Sequence, residues 1–207
     1  MPLALPPFDP VVEMVVSSRG MSKGVEQADE PQVIPKAYLQ IGDVQIGGQW
    51  KNVTSTTADG EGAAFLNATR KFGAYSVTLG AAYKFQTGTT QSTDSGSFEF
   101  TGSLGRKIGS VSLKVSGTFS PDDLGGAKRS LYLEGGAALE ITKSLSLSAN
   151  IGRRTRKNGL DYDSMNLGAT KTFVRAFSID LRYYRTNRSE FGEIYDDRLV
   201  VAGRWSF

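Results

Sequence analysis

The sequence predicts an all-β fold: a transmembrane antiparallel up-and-down β-barrel of about twelve strands. Three observations carry this reading. Apolar and polar residues alternate with period two in about twelve segments. The connections alternate strictly between tight turns and long polar loops, the pattern of membrane barrels. A Greek-key sandwich would mix the two lengths. The polar parity is rich in Ser, Thr, Gly, Asn and Gln. With its apolar face inside, a barrel this size would be wider than the roughly eight-stranded barrels that side chains fill. Turning the apolar face outward removes that problem.

The elements follow in order. Segment 8–19 sets Val12, Met14 and Val16 against Val11, Glu13, Val15 and Ser17, and the polar stretch GMSKGVEQADEPQV follows it. Segment 34–41 sets Ala37, Leu39 and Ile41 against Lys36, Tyr38 and Gln40; Gly42-Asp43 makes a tight turn. Segment 44–53 sets Val44, Ile46, Gly48 and Trp50 against Gln45, Gln49 and Lys51, before the polar loop TSTTADGEG. Segment 63–72 turns Ala64, Leu66, Ala68 and Phe72 outward, with Arg70 near one end, where a long side chain can snorkel. Segment 75–85 begins and ends in aromatics, with Tyr75, Val77, Leu79, Ala81, Tyr83 and Phe85 on one face.

The second half repeats the scheme. Segment 98–104 sets Phe98, Phe100 and Leu104 against Glu99, Thr101 and Ser103, and segment 111–119 sets Val111, Leu113, Val115 and Phe119 against Lys114 and its hydroxylated neighbours. Segment 131–141 opposes Leu131, Leu133, Ala137 and Leu139 to Tyr132, Glu134 and Glu140. Segment 145–151 is followed by RRTRKNGLD, read as a charged loop. Segments 162–173 and 177–184 lead to 199–207, LVVAGRWSF, whose apolar parity ends in Trp205 and Phe207 while Arg198 and Arg204 share the other. One domain is expected over 8–207, with 1–7 as a tail.

Composition narrows the chemistry. The 207 residues contain no Cys and no His, which excludes disulfides, thiol nucleophiles, Ser-His hydrolysis and His metal sites. The formal charge of +3 is weak and dispersed, so nucleic acid is not an expected partner. No apolar run reaches the roughly 18 residues of a membrane helix, a neutral fact for a barrel. The opening MPLALPPFDP lacks the layout of an export signal, so the barrel reading requires that signal to have been removed.

The stretch SSRGMSKG at 17–24, then Pro31 and the hairpin IPKAYLQIGDVQIGGQW, resembles the TorF-type porin family. The resemblance implies an outer-membrane channel-like barrel and brings no catalytic residues. One departure concerns the last strand. The common assembly signal has Gly five residues before the final aromatic, where this chain has Ala202, with Gly203 beside it.

The expected function is passive diffusion of small polar solutes or ions across the bacterial outer membrane, with a lean toward anions. The alternatives are a non-conducting barrel with a structural or adhesive role, and a soluble β-sandwich binding module. No enzymatic role, cofactor or metal is expected. The candidate pore lining is Glu13, Lys36, Lys51, Lys84, Glu99, Lys114, Glu134, Glu140, Asp180, Arg182, Arg198 and Arg204. Arg182, Arg198 and Arg204 are expected to form a basic wall, partly neutralised by Glu13 and Asp180. The acid pairs Asp122-Asp123, Asp161/Asp163 and Asp196-Asp197 read as solvated loop charge. Interface aromatics are expected at Trp50, Tyr75, Phe85, Phe98, Phe119, Phe173, Phe177, Trp205 and Phe207. Expected partners are outer-membrane lipid and lipopolysaccharide (reached through the basic loop at 153–157), a small solute, and the barrel-assembly machinery acting on Trp205 and Phe207. The barrel is expected as a monomer.

Overall fold

The structure, a computed structural model, describes residues 8–54, 58–89, 96–124 and 128–207; the tail at 1–7 lies outside them. The strands are β1 (Phe8–Ser17), β2 (Gly20–Ser22), β3 (Val25–Ala28), β4 (Gln32–Ile41), β5 (Val44–Asn52), β6 (Gly60–Phe72) and β7 (Tyr75–Thr87). They continue with β8 (Gly96–Ile108), β9 (Val111–Ser120), β10 (Ser130–Thr142), β11 (Leu145–Arg156), β12 (Tyr162–Val174), β13 (Phe177–Thr186) and β14 (Arg198–Ser206). Twelve of them, β1 and β4 to β14, form a closed antiparallel barrel, each paired with its neighbours in sequence. Closure leaves no strand edge, which a sheet needs if it is to stand in hydrocarbon. No helix among the described residues is long and apolar enough to cross a membrane, which says nothing about strands.

β1 is the seam. It pairs with β4 from Phe8↔Ile41 to Ser17↔Gln32, and with β14 from Glu13↔Ser206 to Ser17↔Ala202. The final residue is tied in as well, since Phe207 N donates to Val12 O at 2.9 Å. The connections at 42–43, 73–74, 109–110, 143–144 and 175–176 are two-residue turns at the end that holds the ends of β1 and β14. The longer connections lie at the other end. β2 and β3 pair only with each other and belong to the connection between β1 and β4.

The outer wall is apolar. Leu79, Ile151, Leu167 and Val201 stand on it with 48–72% of their surface exposed. On β7 the outward row runs from Tyr75 to Phe85. At about 3.4 Å per residue and a tilt near 40°, those ten steps span roughly 25 Å, the height of a membrane barrel's apolar band. At the turn end Phe173 stacks on Phe177 and Phe177 on Trp205, with ring centroids 5.6 and 4.9 Å apart. Tyr75 joins them there, and Phe207 is 78% exposed. Trp50, Phe85, Phe98 and Phe119 face outward near the loop end.

Strand ends shift from the sequence reading by several residues, as in β8 at Gly96–Ile108 against 98–104, and three of the differences bear on the interior. The polar stretch after β1 is no plain loop, because it folds back as β2 and β3. β6 begins three residues earlier than expected and takes in Glu61. β11 runs on through Arg156, so part of the expected charged loop is strand, with Arg154 turned inward and buried. In each case a polar, charged segment lines the interior instead of meeting bulk water.

Candidate functional site

The interior divides into two halves. Near the turn end it is lined by open polar residues. Near the loop end it is filled by the β2–β3 hairpin, whose Val25, Glu26 and Ala28 are only 7%, 7% and 0% exposed. Around it the inward residues Ser17, Lys51, Glu61, Tyr132, Ser164 and Val200 are buried too. A hairpin this short is not independently stable. The wall must hold it, and it does so at several points.

One hold is ionic. The Glu26 carboxylate accepts from Arg19 Nη1 at 2.6 Å and from Arg198 Nε and Nη2 at 3.0 and 2.9 Å. Burial alone would raise its pKa, but the hydrogen bonds and charges of Arg198 and Arg19 hold it below its ordinary 4.5. A second hold is a ladder of alternating charge across four strands. Glu61 lies between Lys51 (3.2 Å) and Lys84 (3.0 Å), Lys84 reaches Glu99 (3.6 Å), and Glu99 pairs with Lys23 of the hairpin turn. Burial holds the Lys23 ammonium below its ordinary value despite Glu99. Lys51 also donates to Gln27.

A third hold is apolar and positional. Val25 packs with Tyr162 and Tyr195, and the Tyr162 hydroxyl donates to the Lys23 carbonyl at 2.8 Å. Gly24 lies beside them with φ of +84°, and a Cβ there would be 2.3 Å from Ser164 Cβ. Both its conformation and the lack of room require glycine. Gly24→Val is therefore expected to dislodge the hairpin, at a cost of about 2 kcal/mol, while leaving the barrel closed. Limited proteolysis within residues 18–31 measures this; cleavage no faster than in the wild type contradicts it.

Behind the hairpin, Arg154 pairs with Asp123 of the β9–β10 connection. Burial would raise the Asp123 carboxyl, but the charges of Arg154 and Lys23 hold it low.

The turn-end half is organised differently. Lys36 lies 3.8 Å from Glu13, with its ammonium 4.7 and 5.2 Å from the ring centroids of Tyr38 and Phe65. Arg182 is held by four hydrogen bonds, to Asp180 (3.0 and 3.1 Å), Asn166 (2.6 Å) and Ser148 (3.0 Å). Its guanidinium lies over Gly168, where a Cβ would be 2.6 Å from Cζ. A cavity of about 260 Å³ lies against Ser22 of the hairpin and is lined by Lys36, Lys51, Lys84, Glu99 and Phe65.

The candidate pore-lining residues all lie on the inward parity, but they do different things. Lys51, Lys84 and Glu99 form the ladder. Glu134 accepts from the Tyr132 hydroxyl at 3.0 Å, and Glu140 pairs with Lys107 at 2.6 Å. The three arginines expected as a basic wall do not form one: Asp180 ties down Arg182 and Glu26 ties down Arg198. Arg204 and Lys114 form no salt bridge among the described residues. Glu13 approaches Lys36 and Tyr38 rather than the arginines. Asp163 of β12 binds Arg153 across from it on β11 at 3.1 Å, and Asp161 braces the β11–β12 connection by accepting from Arg156 N at 2.7 Å.

The sequence reading missed Lys23, Glu26 and Glu61, and placed Asp123 and Arg154 in external loops although both are buried. For two of them the signal was present. Glu61, Ala63 and Phe65 continue one parity, as do Gly152, Arg154 and Arg156.

A family model described as "Bacterial protein of unknown function (Gcw_chp)" matches residues 23–203. The chain belongs to the Gcw_chp family. This match does not carry the TorF-type name that the sequence resemblance suggested. No curated protein matches the chain. Among solved structures, this Gcw_chp barrel is similar to the KdgM porin, at 10% identity over 95% of this chain and 99% of that one, with a TM-score of 0.68. It is similar to the NanC porin at 9% identity over 94% and 97%, TM-score 0.63. It is also similar to an outer-membrane channel from Pseudomonas putida F1 at 10% identity over 98% and 96%, TM-score 0.60. At these identities the likeness is one of fold.

Proposed function

We propose that this Gcw_chp barrel is a bacterial outer-membrane channel for small polar solutes or ions, narrowed at its loop end by the β2–β3 hairpin. The observation that carries the proposal is a closed barrel with an apolar band outside and an ionised, hydroxyl-rich wall inside. In a soluble protein that distribution would leave the apolar surface in water. The fold likeness to KdgM and NanC supports the same reading, and KdgM has been solved with an oligogalacturonate. The turn end then faces the periplasm and the longer loops face outward. Trp205 of β14 and Phe207 just after it are the proposed contact for the assembly machinery.

Lys114 and Arg204, with no salt bridge among the described residues, lend the turn-end half its lean toward anions. The filled loop half favours a second reading, in which the barrel conducts little until the hairpin moves. Swelling of liposomes containing the full chain, in small neutral and anionic solutes, tests the proposal. Faster swelling with anions of equal size is expected, and swelling no faster than in protein-free liposomes overturns it.

Acid is expected to loosen the hairpin. A carboxyl whose pKa is below 4.5 in the docked state stabilises docking above that value and ceases to do so as pH falls through its lowered pKa. The loss lies with the Glu26 carboxylate, which accepts from Arg19 and Arg198. Conductance is expected to rise on acidification below pH 4.5. Glu26→Gln is expected to be more conductive already at neutral pH and to respond less to acid. An identical pH profile in the variant contradicts this.

A further inference from the structure

We infer that the outer wall carries a specific groove for an acyl chain of a lipid bearing an anionic phosphomonoester, with Arg153 and Arg185 at its mouth to hold that phosphate. The inference rests on the membrane reading above and goes beyond it, because an ordinary barrel wall meets bulk lipid without preference.

The groove has a volume of about 1040 Å³ and crosses the outer face from β8 to β13. That is the size of a pocket for a drug-sized ligand, on a surface that is normally convex. Its floor is made by outward glycines. Gly102 and Gly117 face each other in register, and Gly135 lies on the next strand, opposite Val115. Leu104, Val115, Leu133, Ile151 and Met165 form its sides. A second barrel, being convex, cannot follow an indentation of this kind. A flexible hydrocarbon chain can.

The mouth is polar. Arg153 lies opposite Leu133 and Arg185 opposite Met165, both on the lipid-facing parity near the loop end. Their side chains are 62% and 61% exposed. A charge on this parity is costly near mid-membrane and tolerated at the interface. Other outward arginines lie over aromatic rings, Arg106 on Tyr75 and Arg70 on Phe72. Arg153 and Arg185 have instead one acidic partner each, Asp163 at 3.1 Å and Asp197 at 3.9 Å. A guanidinium has five N–H donors, so both keep donors for a phosphate, whose oxygens fit the planar fork.

Native mass spectrometry of the full chain in detergent tests this, with lipid A and phosphatidylcholine added as competing probes. Wild type is expected to retain one lipid A several-fold better than phosphatidylcholine. Gly135→Leu and Gly102→Leu fill the floor; a Cβ at these positions meets only ordinary contacts, at 3.9 and 3.8 Å. Both are expected to reduce retention several-fold, as is the pair Arg153→Gln with Arg185→Gln, with heat-modifiable migration on gels unchanged. Equal retention of the two lipids, undiminished retention in all variants, or a dimer in place of the bound lipid overturns the inference. Failure of the membrane reading would show separately, as protein that stays in solution without detergent.

Discussion

Replacing residues 20–28 with a short Gly/Ser link is expected to raise single-channel conductance several-fold. Those residues fill the loop half of the lumen, where Ala28 is fully buried and Val25 packs on Tyr162 and Tyr195. The barrel does not depend on them for closure. β1 and β4 pair along their whole lengths, from Phe8↔Ile41 to Ser17↔Gln32. Ladder residues that lose Lys23 and Gln27 would meet water, which stabilises their charge. A gentler variant, Lys23→Met with Glu26→Gln, keeps the chain length but cuts both ionic holds. It should give intermediate conductance with frequent closures, as an untethered hairpin re-enters. Unchanged conductance in both variants would mean that solutes do not pass where the hairpin lies.

Glu61→Gln is expected to be the most destabilising single substitution in the lumen, at about 3 kcal/mol. The carboxylate of Glu61 lies between Lys51 and Lys84, and the three side chains are only 9–12% exposed. Removing it leaves two ammonium groups facing each other with little water to screen them. Unfolding in urea from detergent micelles, followed by gel migration, measures the change. Adding Lys84→Met should restore part of the loss, since replacing a whole buried pair costs far less than breaking one. The penalty should also shrink when the hairpin is absent and the ladder is wet. A loss under about 0.5 kcal/mol, the scale of exposed pairs, would show that the ladder is already hydrated.

These two expectations concern the part of the molecule that the sequence disclosed least. The outer face was legible because an apolar residue recurs at every second position in rows such as Tyr75 to Phe85, the selection that contact with lipid would impose. Strand number, closure through 199–207 and the alternation of turns and loops followed from that selection. The lumen has no comparable signature. Its wall and a surface loop are built from the same Ser, Gly, Lys and Glu, so Glu61 and Arg154 read as loop residues although both are buried strand residues. The hairpin was hidden for the same reason. Its two strands have three and four residues, too few for period two to emerge. Its main requirement, a glycine at position 24, is visible only when Ser164 lies against it. Long-range pairs such as Glu26 with Arg198 depend on closure, which brings residue 198 beside a hairpin near the start of the chain.

Planar-bilayer recording of the purified full chain under a salt gradient tests the central claim most directly. The account predicts discrete conductance steps, small in the wild type and larger without residues 20–28, with a reversal potential on the anion side. Absence of steps above background in both proteins would contradict it.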